Sequence, residues 1–357
     1  MKFLHIADVH LGAVPDSNMP WGVIREEEIW RSFQNIITVC NEEKVDLLLI
    51  AGDLFHRQPL IRELKEVNYF FSKLVTTQVA IMAGNHDFVG ARSYYQGYEW
   101  DKKVHMFLKD TLEIKEFTEL GAEVYGFSYL TRDITNPLYD TVKSEVNGRF
   151  HILLAHGGDE KNIPFNRKKL QDSGFDYIAL GHIHKPEMIS DKIAYSGSLE
   201  PLDKNEMGER GYILGEITRE EDGKTKTSIR FVPSSLRQYK RMNLTVNQDT
   251  TNGALLDQAK EIMKEHGTQH IYSFSIVGVR DETIHFDKEA IKKLGNILEV
   301  DDQSVPDYDF DALYRENSDN MIGLFIHKIR ENAKQDEVAK KALYYGIEAL
   351  LVSKELR

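Results

Sequence analysis

The sequence predicts an α/β fold, on two observations. Short apolar runs alternate with segments whose apolar residues recur at helical spacing, the pattern of strands joined by crossover helices. Five of those runs also end directly in Gly, Asp, Asn or His. In open α/β sheets, ligand sites form just beyond the carboxyl ends of strands, so the placement points to a site as well as to a fold.

In chain order, residues 2–7 form a buried run that meets Asp8. Residues 25–44 place Ile29, Trp30, Phe33, Ile36, Ile37 and Cys40 on one helical face. The run 45–51 (VDLLLIA) meets Gly52 and Asp53, and residues 62–74 repeat the helical pattern. The run 79–83 meets Gly84 and Asn85, 151–155 meets His156, and 177–180 meets Gly181 and His182. Continuous apolar runs of this length suit strands buried on both faces. Further strands at 193–196, 212–217 and 227–232 complete the core as a sandwich. The character changes near residues 233–235. The expected domains are therefore 1–235; a small α+β domain over 236–302, with helices at 253–266 and 287–294 and a strand at 271–279; and 303–357, a linker at 303–311 followed by a helical tail.

Composition bounds the function. The chain has 357 residues, 41% of them hydrophobic and 29% charged, which suits a soluble globular protein with an enzyme-sized core. Its single cysteine, Cys40, forms no intrachain disulfide and reads as core filler. The N-terminus shows no signal-peptide pattern and no run reaches a membrane-spanning length, so the expectation is a cytoplasmic protein with no membrane partner. A net charge of −12 argues against a nonspecific DNA-coating protein, because phosphate binding rests on Lys and Arg. It leaves room for a nuclease whose positive charge is local or supplied by metals.

The chemistry sits in five pieces: Asp8-Val-His10, Gly52-Asp53, Gly84-Asn85-His86-Asp87, His156-Gly157 and Gly181-His182-Ile183-His184. Carboxylate and amide oxygens with imidazole nitrogens suit Mn²⁺, Fe²⁺ or Zn²⁺, whereas Mg²⁺ accepts fewer histidines. No cysteine takes part, which disfavours a structural zinc site. In extended chain, residues i and i+2 share a face, so Asp8 with His10 and His182 with His184 can each enter one pocket. A pair of metals needs a bridging carboxylate, for which Asp53 is the natural candidate. Metals roughly 3.5–4 Å apart activate water and clamp a phosphoryl group. His86 neighbours Asn85 and is suited to protonate the leaving oxygen.

The series D-x-H, GD, GNH, H and GHxH, in this order, resembles the calcineurin-like metallophosphoesterase superfamily over roughly residues 1–200. The resemblance implies the metallophosphoesterase fold, a two-sheet β-sandwich flanked by helices. It implies one metal on Asp8, His10, Asp53 and His184, and a second on Asp53, Asn85, His156 and His182, with His86 as the catalytic histidine. Asp8-Val-His10-Leu11-Gly12, Gly52-Asp53-Leu54-Phe55-His56-Arg57 and Ser196-Gly197-Ser198 further resemble SbcD-type DNA repair exonucleases. That resemblance implies manganese-dependent 3′-to-5′ exonuclease and endonuclease action on DNA, and a homodimer working with an SbcC-like coiled-coil ATPase. It also implies that the second domain caps DNA and that the C-terminal helices bind the ATPase, while His56 resembles the histidine of archaeal and eukaryotic nucleases that orients the phosphate or the catalytic histidine, here His86.

Residues 224–243 hold Lys224, Lys226, Arg230, Arg237, Lys240 and Arg241 with no acid, which reads either as a DNA-contacting strip or as a solvated strand face. Two rival functions use the same residues: a phosphodiesterase or phosphatase for small nucleotides or phospholipids, and a non-catalytic subunit with a degenerate site. The intact ligand set argues against the second.

Overall fold

The computed structural model describes residues 1–332 and 337–355, so residues 333–336 and 356–357 of the expected helical tail lie outside the described residues. The chain divides into two compact units, Met1–Tyr239 and Lys240–Arg357.

In the first unit, β1 (Lys2–Ile6), α1 (Gly22–Glu42), β2 (Leu47–Ala51), α2 (Ile61–Ser72), β3 (Gln78–Met82) and β4 (Val104–Met106) build a parallel βαβ series. Next come β5 (Glu113–Phe117), β6 (Ala122–Gly126), β7 (Phe150–His156), α3 (Arg167–Gln171), β8 (Tyr177–Gly181), β9 (Glu187–Ser190), β10 (Ile193–Tyr195), β11 (Gly211–Arg219) and β12 (Thr225–Pro233). They form two six-stranded sheets, ordered β12-β11-β1-β2-β3-β4 and β5-β6-β7-β8-β10-β9.

Period-two alternation decides which core each side chain enters. In β2, Leu47, Leu49 and Ala51 turn into the layer between the sheets, while Leu48 and Ile50 turn toward α1 and α2. In β7, Ile152 and Leu154 face the same inter-sheet layer, and Leu153 and Ala155 face the outer core that includes Leu170 and Phe175. Helix α1 buries Ile29, Phe33, Ile36, Ile37 and Cys40 against the first sheet, on the face that the spacing predicted. The strands at the centres of both sheets run parallel, so their carboxyl ends open on one side of the sandwich.

The second unit takes up β13 (Tyr239–Val246), which begins at the boundary, α4 (Asn252–His266), β14 (Ile271–Arg280), α5 (Lys288–Lys292), β15 (Ile297–Asp302) and β16 (Val305–Pro306). Its sheet runs β13-β14-β15, with β16 also paired to β14. Leu255, Ala259 and Met263 of α4 cover the sheet's Leu244, Tyr272, Phe274 and Ile276. The segment expected as a linker at 303–311 supplies β16 and the first turn of α6 (Phe310–Glu316). Helices α7 (Met321–Asn332) and α8 (Glu337–Glu355) follow, with Ile322, Ile326 and Ile347 in a small core.

Candidate metal centre

Each of the five sequence pieces begins where a strand stops. Asp8 and His10 follow β1, Asp53 follows β2, Asn85 and His86 follow β3, His156 ends β7, and His182 and His184 follow β8. The backbone keeps these loops in register beyond the sheet: the amide of Asp8 donates to the Gly52 carbonyl and that of His10 to the Asp53 carbonyl, both at 3.1 Å. Asp8, His10, Asp53 and His182 adopt positive φ of 50°, 53°, 50° and 92°. Non-glycine residues pay strain there, and such strain persists where the surroundings hold a functional geometry. Glycine is required beside them: a Cβ at Gly84 would strike the Asp53 carboxylate, and one at Gly52 would strike the His156 ring.

These loops bring the seven proposed ligands together. Asp8, His10, Asp53, Asn85 and His156 are buried. The Nε2 atoms of His10 and His184 lie 3.0 Å apart. Asn85 Oδ1 is 3.0 Å from His156 Nε2 and 3.2 Å from His182 Nδ1. Asp53 Oδ2 stands between the two groups, 3.8 Å from His10 Nε2 and 3.5 Å from His156 Nε2. Asp8 groups with His10 and His184 on one side and with Asp53 and His156 on the other, with atoms within 4.8 Å of one another.

These atoms fit cations better than they fit each other. His156 Nδ1 is 2.8 Å from the Ala51 carbonyl, His182 Nε2 is 2.6 Å from Asp159 Oδ2, and His184 Nδ1 is 2.6 Å from Glu206 Oε1. Each of those nitrogens must donate, so in the neutral, metal-ligating form the second nitrogen of each ring turns a lone pair toward another acceptor or toward the His10 ring. A cation between them removes the conflict. Ligands about 2.1 Å from one ion are roughly 3.0–3.4 Å apart in tetrahedral or octahedral geometry, close to the spacings here.

Electrostatics agree. Burial pushes the Asp8 carboxyl up to about 6, against the pull of His156 and His184. Burial would raise Asp53 too, but the imidazoles of His156 and His10 hold it well below the carboxylate range. Burial pulls His156 down, yet Asp53 and Asp8 overcome it and raise the ring to about 9. The pocket draws positive charge.

His86 and His56 lie at the edge of this group. His86 is half-buried and His56 exposed, and their rings stack with centroids 5.4 Å apart. His86 Nδ1 is 3.1 Å from the backbone carbonyl of His56, and His56 Nδ1 is 3.3 Å from His10 Nδ1. His10, His56 and His86 form a third group of converging ring nitrogens.

Several supporting residues were not found in the sequence. Asp87 accepts from the amides of Gly84 at 2.8 Å and Phe55 at 3.2 Å and from the Tyr95 hydroxyl at 2.8 Å, which ties the Asn85 loop to the Asp53 loop. Its place inside the GNHD piece was the available signal. The Tyr129 hydroxyl donates to the His156 carbonyl at 2.9 Å, and the Tyr139 hydroxyl accepts from the His156 amide at 2.9 Å. No local pattern marks either tyrosine, nor Asp159 and Glu206.

The basic strip does not assemble beside this centre. Lys224 pairs with Asp222 at 2.7 Å, and Lys226 lies 4.0 Å from Glu220. Along β12, Lys226 pairs with Thr218 and Ser228 with Glu216, the partner of Lys2 at the far end of β1. The separation of Lys226 from Asp8 is on the order of 25 Å at about 3.3 Å per residue. Arg230 lines a surface cleft with Glu43, Lys2 and Glu216. Arg237 is buried, with Nε 2.8 Å from both carboxylate oxygens of Glu28. Lys240 and Arg241 belong to the second unit. Strand register carries the first members of the strip away from the centre, and a buried ion pair takes Arg237 from the surface.

Fold and site define a divalent-metal protein built on an α/β sandwich. Residues 1–186 match the calcineurin-like phosphoesterase family, and the chain belongs to it. Members are phosphoester hydrolases that use divalent metal ions. The chain is 32% identical over 239 residues to the uncharacterized metallophosphoesterase YhaO of Bacillus subtilis, a match covering 61% of this chain and 58% of that protein. It is 33% identical over 224 residues to the DNA double-strand break repair protein Mre11 of Methanocaldococcus jannaschii, covering 58% of each. The protein of the same name from Aeropyrum pernix is 27% identical over 246 residues, covering 60% of this chain and 57% of that one. The chain thus spans less than two thirds of the length of these relatives.

Proposed function

We propose that this chain is a two-metal phosphodiesterase that cuts DNA, with Mn²⁺ as the working metal. One ion would rest on Asp8, His10, Asp53 and His184, the other on Asp53, Asn85, His156 and His182. The observation that carries the reading is the set of facing acceptor atoms around Asp53, with the rings of His156, His182 and His184 each turned by a hydrogen bond on the other nitrogen. When bound, such ions supply Lewis-acid activation of water and of the phosphoryl group.

The chain's own residues orient and protonate. The His86 Nδ1–H donates to the His56 carbonyl at 3.1 Å, which leaves Nε2 as the nitrogen that would hand a proton to the departing alkoxide. His56 packs on His86 and sets its ring plane. The backbone amide of His86 donates to Asp53 Oδ1 at 2.8 Å, so the acid and the shared carboxylate move as one piece.

DNA is favoured as substrate by the likeness to two proteins named for DNA double-strand break repair. On this reading the chain is a cytoplasmic nuclease subunit with 3′-to-5′ exonuclease and endonuclease activity, a homodimer partnered by an SbcC-like ATPase. Residues 236–302 would cap DNA and 303–357 would meet the ATPase. No helix among the described residues is long and apolar enough to cross a membrane.

The test is one preparation with Mn²⁺ offered duplex DNA, single-stranded DNA and a small phosphodiester. Duplex DNA should be degraded, and His86→Ala should abolish cleavage while sparing metal content. Turnover of the small ester alone would contradict DNA as substrate, and wild-type cleavage by His86→Ala would remove its role as acid.

A further inference from the structure

His182 and His184 stand two residues apart yet turn opposite ring nitrogens inward. His182 offers Nδ1, 3.2 Å from Asn85 Oδ1, and His184 offers Nε2, 3.0 Å from His10 Nε2. The outer nitrogen of each ring meets a carboxylate from a different loop: Asp159, after β7, at 2.6 Å, and Glu206, after β10, at 2.6 Å. The hydrogen bond on one imidazole nitrogen decides which tautomer the ring adopts and so which nitrogen can ligate.

We propose that Asp159 and Glu206 are positioning residues that fix opposite tautomers in the His182–His184 pair, each governing the affinity of a different one of the two ions, with Glu206 the more consequential. This inference rests on the two-metal reading above. Both carboxylates are themselves held. Asp159 Oδ1 accepts from the amides of Lys161 and Asn162 at 2.8 and 2.9 Å, and Glu206 Oε2 accepts from the Leu202 amide at 3.1 Å. Neither can swing away from its histidine without breaking its own loop.

Two observations rank them. An unconstrained neutral histidine side chain prefers its proton on Nε2, which is the form Asp159 selects in His182. His184 needs the less favoured Nδ1–H form, so Glu206 must impose it. Asp159 is also 48% exposed and Glu206 only 17%, and water weakens the first contact more. Glu206 Oε2 is also 3.8 Å from the buried Arg210 Nε, a second partner, a guanidinium, that Asp159 lacks among the described contacts.

Manganese binding to the metal-free chain is to be measured by calorimetry, with electron paramagnetic resonance reporting spin coupling between paired ions. Glu206→Gln should weaken one of two binding events roughly ten- to hundredfold, as loss of such supporting carboxylates does. Asp159→Asn should weaken the other event by a smaller factor, and Asp159→Ala by more than Asp159→Asn, because the amide can still accept through its oxygen. Coupling should fade in each variant at manganese levels that saturate the wild type. Unchanged affinities, both variants acting on the same event, or a larger loss for Asp159→Asn than for Glu206→Gln would overturn the proposal. Asp159 lies at the surface, so its variants remain decisive should Glu206→Gln fail to fold. A wild-type chain that binds no pair of ions would sink the two-metal reading and this inference together. A wild-type pair with unaltered variants would sink the inference alone.

Discussion

Arg25 is the largest fully buried side chain whose removal has a calculable consequence. Its Nη1 is 2.6 Å from Glu28 and 3.7 Å from Glu200, and its Nη2 donates to the Pro201 carbonyl at 2.7 Å. Glu28 also holds Arg237, and Glu200 accepts from the Ser32 hydroxyl at 2.6 Å and from the amides of Leu236 and Arg237 at 2.6 and 3.3 Å. Arg25→Met therefore removes the cation 3.7 Å from the Glu200 carboxylate, which is 1% exposed. Removing one member of a buried ion pair costs about 3–5 kcal/mol. For a unit of this size that is a fall in Tm of roughly 6–20 °C. The loss should also depend on pH. Burial already raises Glu200 above its ordinary 4.5, against the pull of its donors and Arg25, and losing Arg25 raises it further. A carboxyl whose folded pKa exceeds its unfolded one loses stability as pH climbs from the unfolded value through the folded one. The deficit of Arg25→Met should thus be larger at pH 8 than at pH 5, measured by calorimetric melting of metal-free protein. A fall under about 3 °C that is equal at both pH values would refute this account of the buried network.

His5 tests burial with the opposite sign. Its ring is fully buried with Nδ1 2.8 Å from the Tyr177 hydroxyl, and burial holds it near pKa 3. The unfolded chain takes up a proton below about pH 6.5 that the fold refuses, so stability falls from there toward pH 3. Between pH 7 and pH 5 the wild type should lose about 2 kcal/mol more than His5→Gln in urea unfolding; parallel losses would contradict a neutral buried ring. Lys224→Glu with Lys226→Glu should leave DNA affinity and its salt dependence unchanged. A salt slope lowered by about two phosphate contacts would restore both lysines to the interface.

The sheet-end pieces were legible because each couples a buried run to a ligand-type residue within two positions, a strictly local signal. The helix at 25–44 was legible for the same reason, its apolar spacing being fixed by one face. Strands β5 and β6 lay outside the reading because β5 has three charged residues among its five positions, and Ala122–Gly126 includes a buried Glu123. Asp159 and Glu206 were invisible among 57 acidic residues, since only the fold brings them to the histidines. The burial of Arg237 was invisible for the same reason: its partner Glu28 is 209 residues away.

The central claim is a pair of ions sharing Asp53, and metal stoichiometry tests it most directly. Manganese titrated into metal-free protein should saturate at two ions per chain with coupled spins, and Asp53→Ala should hold neither ion at the same concentrations. Two full-occupancy ions in Asp53→Ala would contradict the shared carboxylate, and a wild-type chain saturating with a single ion would contradict the pair.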